Sequence, residues 1–194
     1  MGEIDYKGSP FIGNKVKLRP LELSDLDRWM QITNNYDTKV YASNFLLYSR
    51  KQIEDWIVSL KEEANKRSKY TFAIETLGDQ RVVGSIGVRY LDWVNRHGNI
   101  GVMIHHPDDV NKGYGSEAIL LLMRFCFDIL NLHRLELFVV EYNARAIHVY
   151  SKLGFKESAR QRQRTYIEGN YYDNFIMDIL EDEFRDRQEK GGNA

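Results

Sequence analysis

Two glycines between an apolar run and a long apolar helix pattern carry the first chemical signal in this chain. The run is Ile100-Gly101-Val102-Met103-Ile104, the turn is Val110-Asn111-Lys112-Gly113-Tyr114-Gly115-Ser116, and the apolar pattern continues from Ile119 to Leu130. A strand, a glycine turn and a helix in that order leave backbone N–H groups unpaired at the helix start, where the macrodipole also favours negative charge. Gly113 and Gly115 lack a Cβ, so a bulky anion can approach the backbone, and Lys112 adds a mobile positive charge. The chemistry predicted is a cradle for a phosphate or diphosphate. The turn is neither a Gly-x-x-x-x-Gly-Lys-Ser/Thr loop nor a complete Gly-x-Gly-x-x-Gly fingerprint. Two glycines at a helix start also serve as plain turn chemistry, and on this segment alone both readings stand.

A second segment adds a longer pattern. Asn143, Ala146, Ile147, Tyr150, Lys152, Leu153, Gly154 and Phe155 fall at the spacing Asn-x-x-Ala-Ile-x-x-Tyr-x-Lys-Leu-Gly-Phe. With the glycine turn upstream, this resembles motifs A and B of the GNAT superfamily of acetyl-CoA-dependent N-acetyltransferases. The resemblance runs from about Val16 to Ile179. Within the superfamily the chain looks most like the branch holding ribosomal-protein N-terminal acetyltransferases and spermidine acetyltransferases.

The resemblance implies a division of labour. An acetyl thioester must meet a neutral amine, which requires holding the two together, stabilising an oxyanion and handling protons. The backbone of Val102, Met103, Ile104 and His105 would pair with the pantetheine of acetyl-CoA, and one N–H would polarise the thioester carbonyl. Val110, Asn111, Lys112, Gly113, Tyr114, Gly115 and Ser116 would hold the diphosphate. Asn143, with Arg145, would contact the cofactor arm. Tyr150 matches the family tyrosine that protonates the departing thiolate, its alternative being a helix tyrosine packed on the core. With a thiol near pKa 8.5 and a tyrosine near 10, that proton moves only slightly uphill.

Two departures from the family pattern have consequences. The Gln or Arg that opens motif A is Val110 here and the following glycine is Asn111, so a polar side-chain contact to phosphate is lost and weaker cofactor binding is expected. The glutamate that several relatives carry near the start of the fourth strand falls on Asn99 or Ile100, and neither is a base. The remaining carboxylates, Glu75, Asp92, Glu141 and Asp173, would act through water or stand as surface charges. Deprotonating an amine of pKa 10.4 at pH 7 costs about 4.6 kcal/mol, against about 1.1 for a peptide α-amine near 7.8. A site without a strong base therefore predicts an N-acetyltransferase acting on a protein or peptide N-terminus, by direct attack in a ternary complex. A polyamine or other small-molecule amine is the alternative acceptor, and a non-catalytic acyl-CoA-binding module is the alternative function.

The elements that must position these residues follow from periodicity. Val16 to Leu21 alternates as a strand. Ser24 is placed to cap a helix carrying Leu26, Trp29 and Met30, and Ser49 to cap a second, Arg50 to about Arg67. Trp29, Trp56 and Tyr36 fall in the two early helices, which line the acceptor groove in relatives. Aromatics at that spacing also fit a core. Strands are expected at Tyr70–Glu75, Val82–Tyr90, Asn99–His105 and Leu135–Val140, helices at Tyr114–Leu130 and Ala144–Leu153, and a closing hairpin at Ala159–Ile167 and Tyr171–Ile179. The fold class implied is α/β (α+β): a GNAT fold whose mixed, mostly antiparallel sheet has about seven strands with about four helices. Its cofactor cleft lies between splayed fourth and fifth strands, where pantetheine adds as a strand does. Residues 1–14 are read as a loose leader, 15–180 as a single domain and 181–194 as a charged tail.

Composition bounds the rest. The chain has 194 residues, 43% hydrophobic and 28% charged, and a net charge of −1. That is the composition of one globular domain with no field drawing it to nucleic acid or a membrane. Arg160, Arg162 and Arg164, on one strand face, read as a solubilising stripe or as a contact for an anion. The single cysteine, Cys126, lies in an apolar helix pattern as a small buried residue. His105 and His106 point to opposite strand faces, which disfavours a metal site. No segment reads as a signal peptide or reaches the roughly 20 apolar residues that span a bilayer, so a cytoplasmic location is expected. The resemblance also admits a homodimer.

Overall fold

The structure is a computed structural model that describes residues 9–36, 39–40 and 46–190. β1 (Val16–Pro20) leads through a 3-10 turn (Leu23–Asp25) into α1 (Leu26–Thr33), and α2 spans Arg50–Asn65. β2 (Tyr70–Thr76), β3 (Val82–Asp92) and β4 (His97–Ile104) follow, then α3 (Tyr114–Arg124), β5 (Arg134–Val140) and α4 (Ala144–Leu153). The chain closes with β6 (Lys156–Ile167), β7 (Asn170–Leu180) and α5 (Glu181–Glu189). The seven strands form one sheet in the order β1-β2-β3-β4-β5-β7-β6, antiparallel throughout except at β4–β5. This is the mixed α/β architecture expected.

Alternation along the strands gives the sheet two faces. On β3, Ile86 and Val88 are buried in the main core with Ile100, Leu122, Leu135 and Leu153, beneath α3 and α4. Ser85, Gly87 and Arg89 alternate with them and face the other side. There Trp29 of α1, Ile53 and Ile57 of α2 and Ala73 of β2 make a smaller core. Each large aliphatic side chain removed from water in this way contributes about 1.5–3 kcal/mol.

Several boundaries differ from the sequence reading for local reasons. Ser49 caps α2 as expected: its Oγ accepts from the Gln52 N–H (3.3 Å), and Gln52 Oε1 accepts from the Ser49 N–H (2.8 Å). Ser24 is not a cap. The chain first makes the 3-10 turn, and the Asp25 carboxylate accepts from the Glu22 N–H (2.9 Å) while Arg19 grips it with two bonds of 2.8 Å. The helix expected to reach Leu130 stays α-helical to Arg124 and widens into a π-turn, closed by Leu130 N–H to Phe125 O (3.0 Å). The tail reading fails for residues 181–190, where α5 docks Phe184, only 2% exposed, against Phe127 at 5.1 Å between ring centres. The leader is tied down at Phe11, whose ring meets Phe72 and Phe125 at 5.5 and 5.3 Å. Residues 1–8 and 191–194 lie outside the described residues.

The feature that builds a site is a split in the sheet. β4 and β5 pair only at His97–Arg134, Gly98–Leu135 and Asn99–Glu136. Beyond that point β4 stays on β3 as far as Ile104 opposite Gly84, and β5 stays on β7 as far as Val140 opposite Asn174. The two strands therefore part from Ile100 and Leu137 onward, leaving one edge of each unpaired inside the sheet.

Candidate active site

The split opens into a continuous cavity of about 1070 Å³. It runs from the glycine turn before α3, between β4 and β5, to the aromatic face under α1 and α2. Val102, Met103, Ile104 and His105 line it, as do Val139, Val140, Asn143, Arg145 and Tyr150 on the far wall.

The ladder decides which backbone groups face the gap. The His105 N–H donates to Val83 O (3.0 Å). In an antiparallel pair the bonded positions alternate, so Met103, opposite Ser85, also turns its N–H and C=O toward β3. Val102 and Ile104 are left to present their backbone groups across the gap toward β5. Val102 and Ile104 therefore have the backbone groups that the expected contact needs, whereas Met103 and His105 spend theirs on β3 and offer side chains to the cavity instead. The unpaired edge is a template for an extended chain to add to the sheet.

The glycine turn is held rigid by a buried clamp. Arg81 donates two hydrogen bonds to Asp109 (2.8 and 2.9 Å), with Lys112 at 3.6 Å and Arg28 at 4.0 Å from the same carboxylate. The Arg81 bonds, aided by these nearby cations, hold the Asp109 carboxyl below the usual carboxylate range against the opposing effect of burial. Asn111 has φ +61° and Gly113 φ +84°, left-handed positions that a glycine or an asparagine adopts most readily. Gly113 is the N-cap of α3 and has no side chain to cap it, and the first paired N–H is that of Glu117, to Gly113 O (3.1 Å). The N–H groups of Tyr114, Gly115 and Ser116 are therefore without intrahelical acceptors at the positive end of the helix dipole.

The side chains around the turn are distributed differently from expectation. Val110, Asn111, Gly113 and Ser116 line the cavity. Lys112 is turned toward Asp109, and Tyr114 packs on the main core. Gly115 lies against β4, where an added Cβ would sit 3.6 Å from Ile104 Cγ1. Lys15, which the sequence reading missed, places its Nζ on Lys112 O (3.0 Å), beside the turn. It is brought there because Glu117 accepts from the N–H groups of Asn14, Lys15 and Val16 at 2.7, 2.8 and 2.8 Å.

Across the gap, Asn143 caps α4 with its Oδ1 on the Ala146 N–H (3.1 Å), so its amide nitrogen is the group left for the cavity. Tyr150 lines the cavity while 8% exposed, and burial pushes its phenol up to about 12. His105 packs edge-on against Trp29 (4.5 Å), and its ring nitrogens have no hydrogen-bond partner among the described residues. Burial, aided by the nearby Arg28 charge, lowers its imidazole to about 3, so it stays neutral. Cys126 is fully buried and burial raises its thiol, which leaves it inert.

None of the four candidate carboxylates lines the cavity. For Glu75, burial pushes the carboxyl up, but Lys17 (2.7 Å) and Arg19 (2.5 Å) outweigh it and hold it low. Asp92 is fixed by the Asn95 and Val94 N–H groups, which lower it. Asp173 is lowered first by the Gln163 N–H and then by Arg160, and Glu141 is taken up by Arg160 (3.0 Å) and the Asp173 N–H (2.8 Å). The arginine stripe is thereby partly neutralised at Arg160. The part of the cavity under α1 and α2 instead holds Trp29, Trp56 and Tyr48 with Thr71, Ser85 and Arg89. Ser85, Gly87 and Arg89 alternate on β3 with buried Ile86 and Val88, a signal that was readable in the sequence. Tyr36 is not in this group: it is exposed and donates to Glu168 (2.7 Å).

A cavity that joins an anion-binding helix start to an unpaired strand edge fits coenzyme A. Comparison with known proteins agrees. The sequence profile of the Acetyltransferase (GNAT) domain matches residues 15–156. The chain belongs to the GNAT acetyltransferase family. It is an acyltransferase, and its co-substrate is acetyl-CoA. It is similar to spermidine N(1)-acetyltransferase of Escherichia coli (strain K12), 29% identical over 175 residues that span 88% of this chain and 89% of that one. It is also similar to spermidine N(1)-acetyltransferase of Vibrio cholerae, 26% identical over 92% of this chain and all of that one. The crystal structure of spermidine N-acetyltransferase from Vibrio cholerae in complex with CoA and spermine superposes with a TM-score of 0.79, at 25% identity, over 88% of this chain and 98% of that one. Among the described residues no helix is long and apolar enough to cross a membrane.

Proposed function

We propose that this acetyltransferase acylates the primary amine of a small molecule, by direct attack with both substrates bound. The observation that carries this is the single cavity passing through the sheet, which lets a donor on one side and an amine on the other meet between β4 and β5. Kinship with two spermidine acetyltransferases supports a small amine over the peptide N-terminus that the missing base suggested. The peptide reading keeps one support: among the described residues no unengaged carboxylate lines the cavity, and an α-amine near pKa 7.8 needs the least help to lose its proton.

The residues divide the work as follows. The N–H groups of Tyr114, Gly115 and Ser116 and the Lys15 ammonium hold the diphosphate. Val102 and Ile104 pair with the pantetheine through their free backbone groups, and Asn143 contacts the arm through its amide N–H. A backbone N–H on the β4 edge supports the carbonyl oxygen as it gains charge. Tyr150 donates its phenolic proton toward the departing sulfur. At about 12 this proton would move roughly 5 kcal/mol uphill to a thiolate of ordinary pKa, more than the sequence reading allowed. A thiolate in the same dry pocket has its own pKa raised by burial, which narrows the gap. Thiol release from acetyl-CoA with a panel of small amines and a short peptide tests the reading. Faster release with the small amines is expected, a large preference for the peptide overturns the acceptor, and no release with any amine overturns transfer itself.

A further inference from the structure

The charges on the cavity wall do not suit a polycation. Polyamine nitrogens of pKa near 10.4 are protonated at pH 7, so such an acceptor needs carboxylates around it. Among the described residues the only carboxylate lining the cavity is Asp109, which Arg81 already holds. On the acceptor side the charged residues are Lys69 and Arg89. Lys69 is paired with Glu63 (3.1 Å). Arg89 has no ion pair among the described residues.

Arg89 is aimed into this space by its strand. It lies opposite Asn99 in the β3–β4 ladder, and the register shifts immediately after it, at Tyr90, whose φ is +51°. A bulge of this kind redirects the neighbouring side chain. Arg89 Nε donates to Asn99 Oδ1 (3.2 Å), and the guanidinium carbon lies over the Tyr90 ring, 5.3 Å from its centre. Its two terminal nitrogens make no hydrogen bond among the described residues. Asn99 and Arg89 sit where β4 and β5 begin to part, so this fork stands beside the point at which donor and amine meet. Thr71, Ser85 and Gln52 add neutral hydrogen-bonding groups around it, and Trp29, Trp56 and Tyr48 add an apolar wall.

We infer that the acceptor is a primary amine that also carries an oxyanion, a carboxylate or a phosphate, gripped by the Arg89 guanidinium. This rests on the small-amine acetyltransfer reading and narrows it away from polyamines. The free edge formed by the two terminal nitrogens of Arg89 suits a bidentate oxyanion, and the cation disfavours a second ammonium nearby.

The test compares steady-state acetylation of 4-aminobutanoate, its neutral amide, 3-aminopropyl phosphate and spermidine. At least one anionic amine is expected to exceed the amide by about tenfold to a hundredfold in kcat/KM, mostly through KM. Which of the two does so separates carboxylate from phosphate. Arg89→Gln is expected to bring the acid-to-amide ratio close to one, and Arg89→Lys to retain part of it. A higher kcat/KM on spermidine or the amide than on both anions overturns the inference while leaving acetyltransfer intact. So does a ratio that survives Arg89→Gln. No turnover with any of the four, despite acetyl-CoA binding, overturns the underlying reading and this inference with it.

Discussion

Arg81 and Asp109 are joined by two parallel hydrogen bonds across 28 residues of chain, and the bond pair anchors the loop that presents the α3 N-terminus. Asp109 is 2% exposed, so a removed partner leaves a buried charge. Arg81→Ala is expected to cost about 1.5–3 kcal/mol in chemical denaturation and to weaken acetyl-CoA binding. Because the folded-state pKa of Asp109 is depressed, its contribution is present above the unfolded value near 3.9 and is lost as pH falls through the folded value. A wild-type acid-unfolding curve whose low-pH limb is unchanged in Asp109→Asn would contradict this.

Tyr150 is expected to act as a neutral donor throughout the assay range. Its phenol, raised by burial to about 12, stays protonated across the usual assay range, so an alkaline limb of the kcat profile near pH 10 is not expected from it. Tyr150→Phe is expected to lower kcat by about a hundredfold or more while acetyl-CoA still binds. A kcat within threefold of wild type would remove the proton-donor role.

The carboxylates outside the cavity predict a second pH signature. With no unengaged carboxylate lining the cavity among the described residues, the amine is expected to react as its neutral fraction, and kcat/KM should rise about tenfold per pH unit below the acceptor's pKa. Asp92→Asn and Asp173→Asn should leave the slope and midpoint unchanged. A plateau below pH 8 with an amine of pKa near 10 would reveal a base on the chain.

Much of this fold was readable. The Ser49 cap, the glycine turn and the Asn143-to-Phe155 pattern place α2, α3 and α4 because each is decided within a few residues. What was not readable depends on distant partners. Asp25 displaces Ser24 as the capping group because Arg19 is there to hold it. Lys15 reaches the turn only through Glu117, 102 positions away. The register that turns the His105 N–H toward Val83 is a property of the β3–β4 ladder, and no motif encodes it.

Phe184 is the clearest case of a long-range decision. One apolar residue in the charged run 181–190 suggests a solvated tail, yet its ring fills a gap beside Phe127. Phe184→Ala is expected to destabilise the domain by about 3–5 kcal/mol, and ending the chain after Leu180 by at least as much. Unchanged thermal stability in either variant would return α5 to the status of a tail.

The glycine turn offers a further discrimination. Gly113→Ala forces a Cβ onto a residue at φ +84° and places it 2.9 Å from Lys15 Nζ, whereas at Gly115 an added Cβ meets Ile104 at an ordinary 3.6 Å. Gly113→Ala should lose about 1 kcal/mol of stability and bind coenzyme A more weakly, with Gly115→Ala the milder change on both counts. Equal effects at the two positions would count against a turn shaped for close anion approach.

The most direct measurement is calorimetric titration of acetyl-CoA into the wild-type chain and into Gly113→Val. Saturable binding of one molecule per chain, displaced by free coenzyme A and weakened at least tenfold by Gly113→Val, is the predicted result. Heat absent from the wild-type titration, or an affinity indifferent to a side chain at Gly113, would contradict a diphosphate seated on the first turn of α3.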